Sequence, residues 1–134
     1  MKRTIKHICL AEDDPDDFYI FSNLLHEVDS SVKLTWFQTC EDLLRYLKNG
    51  SDLPCLIVLD MNMPKMDGQT CLVTLKKEIT LRHIPVIILS TAFKPGAIDL
   101  AIEAGANKYY QKPYSPKEFK TIISEILAMP VAEQ

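Results

Sequence analysis

Two short stretches of the chain, Cys55 to Leu59 and Ile84 to Leu89, are wholly apolar and are bounded by turn and polar residues. Runs of that length, rich in Ile, Val and Leu, predict strands buried on both faces. Pro85 falls near the start of the second run, where a missing N–H does least harm. A first strand is predicted from Ile5 to Ala11 and a last one from Asn107 to Gln111. Between them, Val32, Leu34 and Trp36 alternate with Lys33 and Thr35, the period of a half-covered outer strand.

The segments separating these strands carry helical spacing. Phe18, Phe21, Leu25 and Val28 form one stripe, widened by Ile20 and Leu24, and Asp14-Pro15 supplies an N-cap and a first-position proline. Thr39 caps a second helix with Leu43, Leu44 and Leu47, ending at Asn49-Gly50. Cys71, Leu72, Leu75 and Ile79 mark a third. Lys94-Pro95-Gly96 opens a fourth with a small-residue face of Ala97, Ala101 and Ala104, and Gly105 follows it. Ser115-Pro116-Lys117-Glu118 reads as a capping box for a fifth, with Phe119, Ile122, Ile123, Ile126 and Leu127 on one face. The tail from Met129 is expected to fray. Strands alternating with helices through short loops predict an α/β fold, a doubly wound parallel sheet with right-handed crossovers and helices on both faces. One domain is expected to fill residues 1–134, with a core from about Lys6 to Leu127.

Composition narrows the functional classes. The net charge is -3, and no basic run exceeds Lys2-Arg3, which argues against a nucleic-acid footprint. No apolar run approaches the roughly 20 residues needed to span a bilayer, and no signal-type segment follows the polar N-terminus. A soluble, cytoplasmic protein is expected. Cys9, Cys40, Cys55 and Cys71 lack metal or redox spacing and are read as free core thiols. His7, His26 and His83 are scattered near element ends and are read as solvated or capping residues.

Parallel topology brings every strand's carboxyl end to one rim, where open α/β sheets bind ligands. Those ends carry Glu12-Asp13, Asp60, Ser90-Thr91 and Lys112. Alone, Asp60 is a nucleophile, a metal ligand or a helix cap. Clustered carboxylates repel one another unless a cation sits among them. Oxygen-only ligands in small number, without EF-hand spacing, favour Mg²⁺. A lysine and a hydroxyl beside them suit a phosphoryl group, so phosphoryl transfer to a carboxylate is the reaction inferred.

The acid pair Glu12-Asp13, Asp60 in L-D-M-N-M-P-K-M-D-G, Ser90 in I-L-S-T-A, Tyr109 and Lys112-Pro113 resemble the receiver domain of bacterial two-component response regulators. The intervals between Asp13, Asp60, Ser90 and Lys112 agree with that family, over nearly the whole chain and with nothing left for an output domain. The resemblance is to single-domain receivers of the chemotaxis and phytochrome-associated kind. It implies a flavodoxin-like (βα)5 sheet with strand order 2-1-3-4-5.

The resemblance also implies roles. Asp60 is the expected phosphoacceptor, taking its phosphoryl group from a histidine of a sensor kinase or phosphotransfer protein. Asp13, Asp60, Glu12 and the backbone carbonyl of Asn62 are the expected Mg²⁺ ligands, with Glu12 acting directly or through water. Lys112 is expected to bridge the acids and then the phosphoryl oxygens, aimed inward by a cis bond to Pro113. Ser90 and Tyr109 are the expected switch pair, with readout to an unknown protein target on the face of the last two helices and last strand. The protein is expected to be a monomer or a phosphorylation-dependent homodimer, and a signalling protein rather than an enzyme. Glu12 and Ser90 depart from the commoner Asp and Thr, and Ala92 offers no polar group to position a hydrolytic water. Helix capping after the loop is left to Asp67.

Three alternatives are weighed. A haloacid dehalogenase-type phosphatase wants an acid two positions after its nucleophile, where Asn62 stands. Flavodoxin-like FMN binding wants a Ser/Thr/Gly-rich loop after the first strand, where Glu12-Asp13-Asp14 stands. A phosphorylation-independent pseudo-receiver is disfavoured by the complete set of acids, hydroxyl and lysine.

Overall fold

The computed structural model describes residues 5–61, 68–91 and 96–131. Its elements alternate in the expected order: β1 (His7–Ala11), α1 (Pro15–Val28), β2 (Lys33–Phe37), α2 (Cys40–Asn49), β3 (Leu56–Asp60), α3 (Gly68–Lys77), β4 (Val86–Ser90), α4 (Ala97–Glu103), β5 (Lys108–Gln111) and α5 (Pro116–Leu127). The five strands pair in parallel in the order β2-β1-β3-β4-β5. This is the flavodoxin-like α/β topology.

The apolar patterns explain the layering. Every residue of β1, β3 and β4 is buried, whereas the edge strands β2 and β5 are only partly covered. Side chains alternate across the sheet. Ile8, Leu10, Val58, Ile87 and Leu89 pack with Phe21 and Leu25 of α1 and Phe119, Ile123 and Ile126 of α5. Cys9, Ala11, Ile57, Leu59, Val86 and Ile88 pack with α2, α3 and α4 on the other face.

Capping follows the sequence. Asp14 accepts from the backbone N–H of Asp16 at 2.8 Å, Thr39 from Asp42 at 3.1 Å and Ser115 from Glu118 at 3.1 Å. Gly50 ends α2 in the left-handed conformation with φ 70°, which glycine reaches without steric cost.

Five sequence expectations are corrected. Cys40 and Cys71 are not free thiols: they face one another from α2 and α3 and form a disulfide, leaving only Cys9 and Cys55 free. His7 is buried rather than solvated, because β1 is covered on both faces, and its Nε2 lies 2.8 Å from Thr35 Oγ1. Ile79 is outside α3 and 75% exposed, since the chain turns over residues 78–84 and seats Leu81 and Ile84 in the core instead. No peptide bond among the described residues is cis, so the Lys112–Pro113 bond is trans. Met129 and Val131 do not fray: both rest against the α1/α5 side of the core.

Candidate functional site

The rim at the carboxyl ends of the strands gathers buried polar residues. Glu12 directly follows β1, Asp60 ends β3 and Ser90 ends β4, and all three are at most 5% exposed. Asp13 is half-buried beside them. Thr91, next to Ser90, is exposed.

Backbone hydrogen bonds hold these positions. The Glu12 N–H donates to Phe37 O at 2.9 Å, and the Lys112 N–H donates to Ser90 O at 2.9 Å, so each strand end is fixed to its neighbour. The Trp36 indole N–H donates to the Glu12 carbonyl at 2.7 Å, and its ring stacks on Phe18 at 4.1 Å. Gly68 is required on the far side of Asp60: a Cβ there would lie 2.6 Å from the Asp60 carbonyl oxygen and 2.7 Å from Met61 Cα. The start of α3 thus rests directly on the backbone of Asp60.

Lys112 organises the charges. Its Nζ is hydrogen-bonded to Glu12 Oε1, lies 2.9 Å from Asp17 Oδ2 and 3.7 Å from Asp60 Oδ2, and its side chain is 9% exposed. Burial works against the lysine's charge, but the hydrogen bonds to Glu12 and Asp17 outweigh it and hold its pKa above the ordinary value. The inward aim comes from this ionic contact and needs no cis bond.

Burial pushes the Glu12 carboxyl up to about 8, reinforced by its hydrogen bond with Asp60 and opposed by Lys112. Glu12, Asp13 and Asp60 each offer one oxygen, all within 4.8 Å of one another. An all-oxygen acidic set of this size, beside a single ammonium, fits a small hard divalent cation. Asn62 and Asp67, the other expected contributors, and Ala92 lie outside the described residues.

Asp17 also joins this rim through Lys112, a contact that its place in the sequence does not by itself announce. It stands in the first turn of α1, where helical side chains lean back toward the N-terminus and so reach the strand ends. That lean was the available signal.

The two adjacent tyrosines separate by strand alternation. Tyr109 pairs with Ile88 and packs, half-buried, on the side of Ala104 and α4. Tyr110 packs on the opposite side and donates its hydroxyl to Glu125 Oε2 at 3.1 Å. The Gln69 amide, at the start of α3, donates to Leu100 O of α4 at 3.3 Å, which links the segment after Asp60 to α4.

The model of the response regulator receiver domain matches residues 8–124. The chain belongs to that family. Two-component response regulator ORR8 of rice (Oryza sativa subsp. indica) is 31% identical over 80% of this receiver domain and 86% of its own length. Among solved structures, the phosphorylated cyanobacterial phytochrome response regulator RcpA is 28% identical, with a TM-score of 0.84 over 91% of each chain. The Mn²⁺-bound response regulator Rcp1 is 27% identical, with a TM-score of 0.82 over 90% of this receiver and 91% of that chain. Two curated relatives that are histidine kinases match the receiver over only 11% and 6% of their own length. A plant relative shows that membership carries no bacterial origin. Among the described residues, no helix is long and apolar enough to cross a membrane.

Proposed function

We propose that this receiver domain is the phosphoacceptor of a two-component phosphorelay, with Asp60 taking a phosphoryl group from a phosphohistidine of a sensor kinase or phosphotransfer protein. The observation that carries this reading is the contact of one buried ammonium, Lys112, with three acids, Glu12, Asp17 and Asp60 itself. A nucleophilic carboxylate at a strand end, beside a point charge able to follow the incoming oxygens, is what transfer to an acyl acceptor requires. The Mn²⁺-bound relative supports a divalent cation here.

The ligands assigned to Mg²⁺ are Glu12, Asp13, Asp60 and the Asn62 backbone carbonyl. Bound there, Mg²⁺ supplies neutralisation of charge on the transferring phosphoryl group. Asp60 attacks phosphorus as the bond to the histidine nitrogen breaks, giving an acyl phosphate and neutral imidazole. Lys112 moves its hydrogen bonds from Glu12 and Asp17 toward the new oxygens. A cleft of about 300 Å³ bordered by Asp17, Ile20, Lys112 and Tyr114 lies beside this lysine and leaves a way in for the donor.

Phosphorylation adds about two negative charges and three acceptor oxygens. In the proposed switch, Ser90 is drawn toward them and Tyr109 moves into the space vacated. Readout on the face of α4, β5 and α5 is supported by the exposed Ile98, Leu100 and Ile102 of α4, an apolar surface for an unidentified protein target. Phosphorylation would bias two pre-existing states rather than create one.

Incubation with acetyl phosphate and Mg²⁺ tests the reading by intact mass. The expected product is one acid-stable, base-labile phosphoryl adduct that Asp60→Asn lacks. No mass gain, or an undiminished gain in Asp60→Asn, overturns it.

A further inference from the structure

The Cys40–Cys71 disulfide lies where it can act on the acidic site. Cys40 is the first residue of α2, two positions after the β2–α2 connection begins, and Cys71 lies in the first turn of α3. Both helix starts are at the same rim as Asp60. Phe37, just before Cys40, accepts the backbone hydrogen bond of Glu12, and Gly68, just before Cys71, is pressed on the carbonyl of Asp60. The two sulfurs belong to one buried cluster with Ala11 and Leu59, the residues that immediately precede Glu12 and Asp60. The bond therefore joins the two segments on which the metal-site acids rest.

We propose that Cys40 and Cys71 form a reversible thiol–disulfide pair, a site of oxidative modification whose closed form slows phosphoryl uptake at Asp60. The proposal rests on the phosphoacceptor reading. With a low-molecular-weight disulfide such as oxidised glutathione as oxidant, the thiolate of either cysteine attacks one of its sulfurs and releases one thiol. The other cysteine then resolves the mixed disulfide and releases the second. Two protein thiols become one S–S bond, two electrons pass to the oxidant, and two small thiols carry away the two protons.

Helix position favours both bridging sulfurs, so either can attack first. A cysteine at a helix N-terminus has its thiolate favoured by the backbone N–H groups. Cys9, in the same cluster, is held protonated by burial, its thiol pushed up to about 12, so it does not compete. Both bridging sulfurs are buried, so exchange proceeds through opening of a helix start and is slow. Closed, the bond ties the start of α3 to α2 and restrains the backbone of Asp60 while it accepts a group. Open, it leaves that segment free to adjust.

The test equilibrates the full chain in reduced and in oxidised glutathione and counts Cys40 and Cys71 by differential alkylation. Phosphoryl uptake from acetyl phosphate is then followed by intact mass in each state. On the same samples Mg²⁺ is titrated by the fluorescence of Trp36, the single tryptophan, which is bonded to the Glu12 carbonyl. The expected result is interconversion of the pair and uptake about fivefold slower in the closed form, the low end of inter-site couplings. Cys40→Ala and Cys71→Ser should each lose the dependence and match the reduced protein. Equal rates in the two states, or a bond that glutathione never opens, overturns the proposal. If neither state takes up phosphoryl, the phosphoacceptor reading fails by itself. The Mg²⁺ affinities then decide: a difference between the states retains the redox coupling to the acids, and equal affinities overturn it.

Discussion

The two ends of β1 place ionisable groups under the same burial and resolve it in opposite ways. At the carboxyl end, Glu12 is buried against Asp60, keeps a proton far above the ordinary carboxyl range, and meets a lysine that is itself buried. At the amino end, burial lowers the pKa of His7 and keeps the ring neutral against Thr35. The charges there, Asp52 and Lys33, pair with each other in solvent. One end crowds three acids around a single ammonium, a set that a divalent cation would suit. The other pairs its charges locally and holds a neutral ring, with His7 Nδ1 3.7 Å from Asp52 Oδ1. Buried charge with no low-cost neutral solution marks the functional rim.

The largest stability effect should come from the covalent tie at the carboxyl rim. Its cysteines are 31 residues apart in sequence, and closing a loop of that length stabilises by about 3–4 kcal/mol in the chain-entropy picture. Reduction should therefore lower the melting temperature of the metal-free protein by roughly 10 °C, read by calorimetry. Next, Lys112→Ala should cost about 3 kcal/mol near neutral pH, because it leaves buried acids without their ammonium. The variant should still take up phosphoryl, slowly, without the change in amide exchange around Tyr109 that the parent shows. A parent-like response would remove Lys112 from the switch.

Smaller effects separate the two ends by pH. The native state binds the Glu12 proton more tightly than the unfolded chain, so its stabilisation is complete below 4.5 and is lost as pH rises through about 8. His7 has the reverse sign: its contribution is present above 6.5 and is lost as pH falls through its lowered folded value. Glu12→Gln should flatten only the alkaline limb of a denaturation profile taken without metal, and His7→Gln only the acid limb. Mg²⁺ should remove the alkaline limb and leave the acid limb unchanged, since the proposed cation site includes Glu12 and not His7. The smallest effect is expected from Lys33→Ala, which should leave both the melting temperature and Mg²⁺ binding unchanged, as for most solvent-exposed ion pairs. A measurable loss of Mg²⁺ affinity would erase the contrast between the ends.

Much of this was legible in the sequence because it is local. The apolar runs that stop at Glu12, Asp60 and Ser90 define both the central strands and the rim, and the Asp14, Thr39 and Ser115 caps fix three helix starts. What escaped depends on groups brought together from afar. The Cys40–Cys71 bond requires two helices to face each other, and nothing in cysteine spacing announces it. Asp17 looked like first-turn electrostatics until Lys112 arrived from the other end of the chain. Ile79 carried helical spacing, but the turn over residues 78–84 offered Leu81 a better seat. His7 looked solvated because its cover is supplied by β2 and by the segment carrying Asp52.

On the phosphoacceptor proposal, Asp60 alone among the rim acids becomes phosphorylated. After phosphorylation from acetyl phosphate with Mg²⁺, borohydride reduces an acyl phosphate to an alcohol and leaves a permanent mark that peptide mass mapping can place. The account predicts that mark on Asp60 and on neither Glu12, Asp13 nor Asp17; a mark on one of those acids, or none at Asp60, would contradict it.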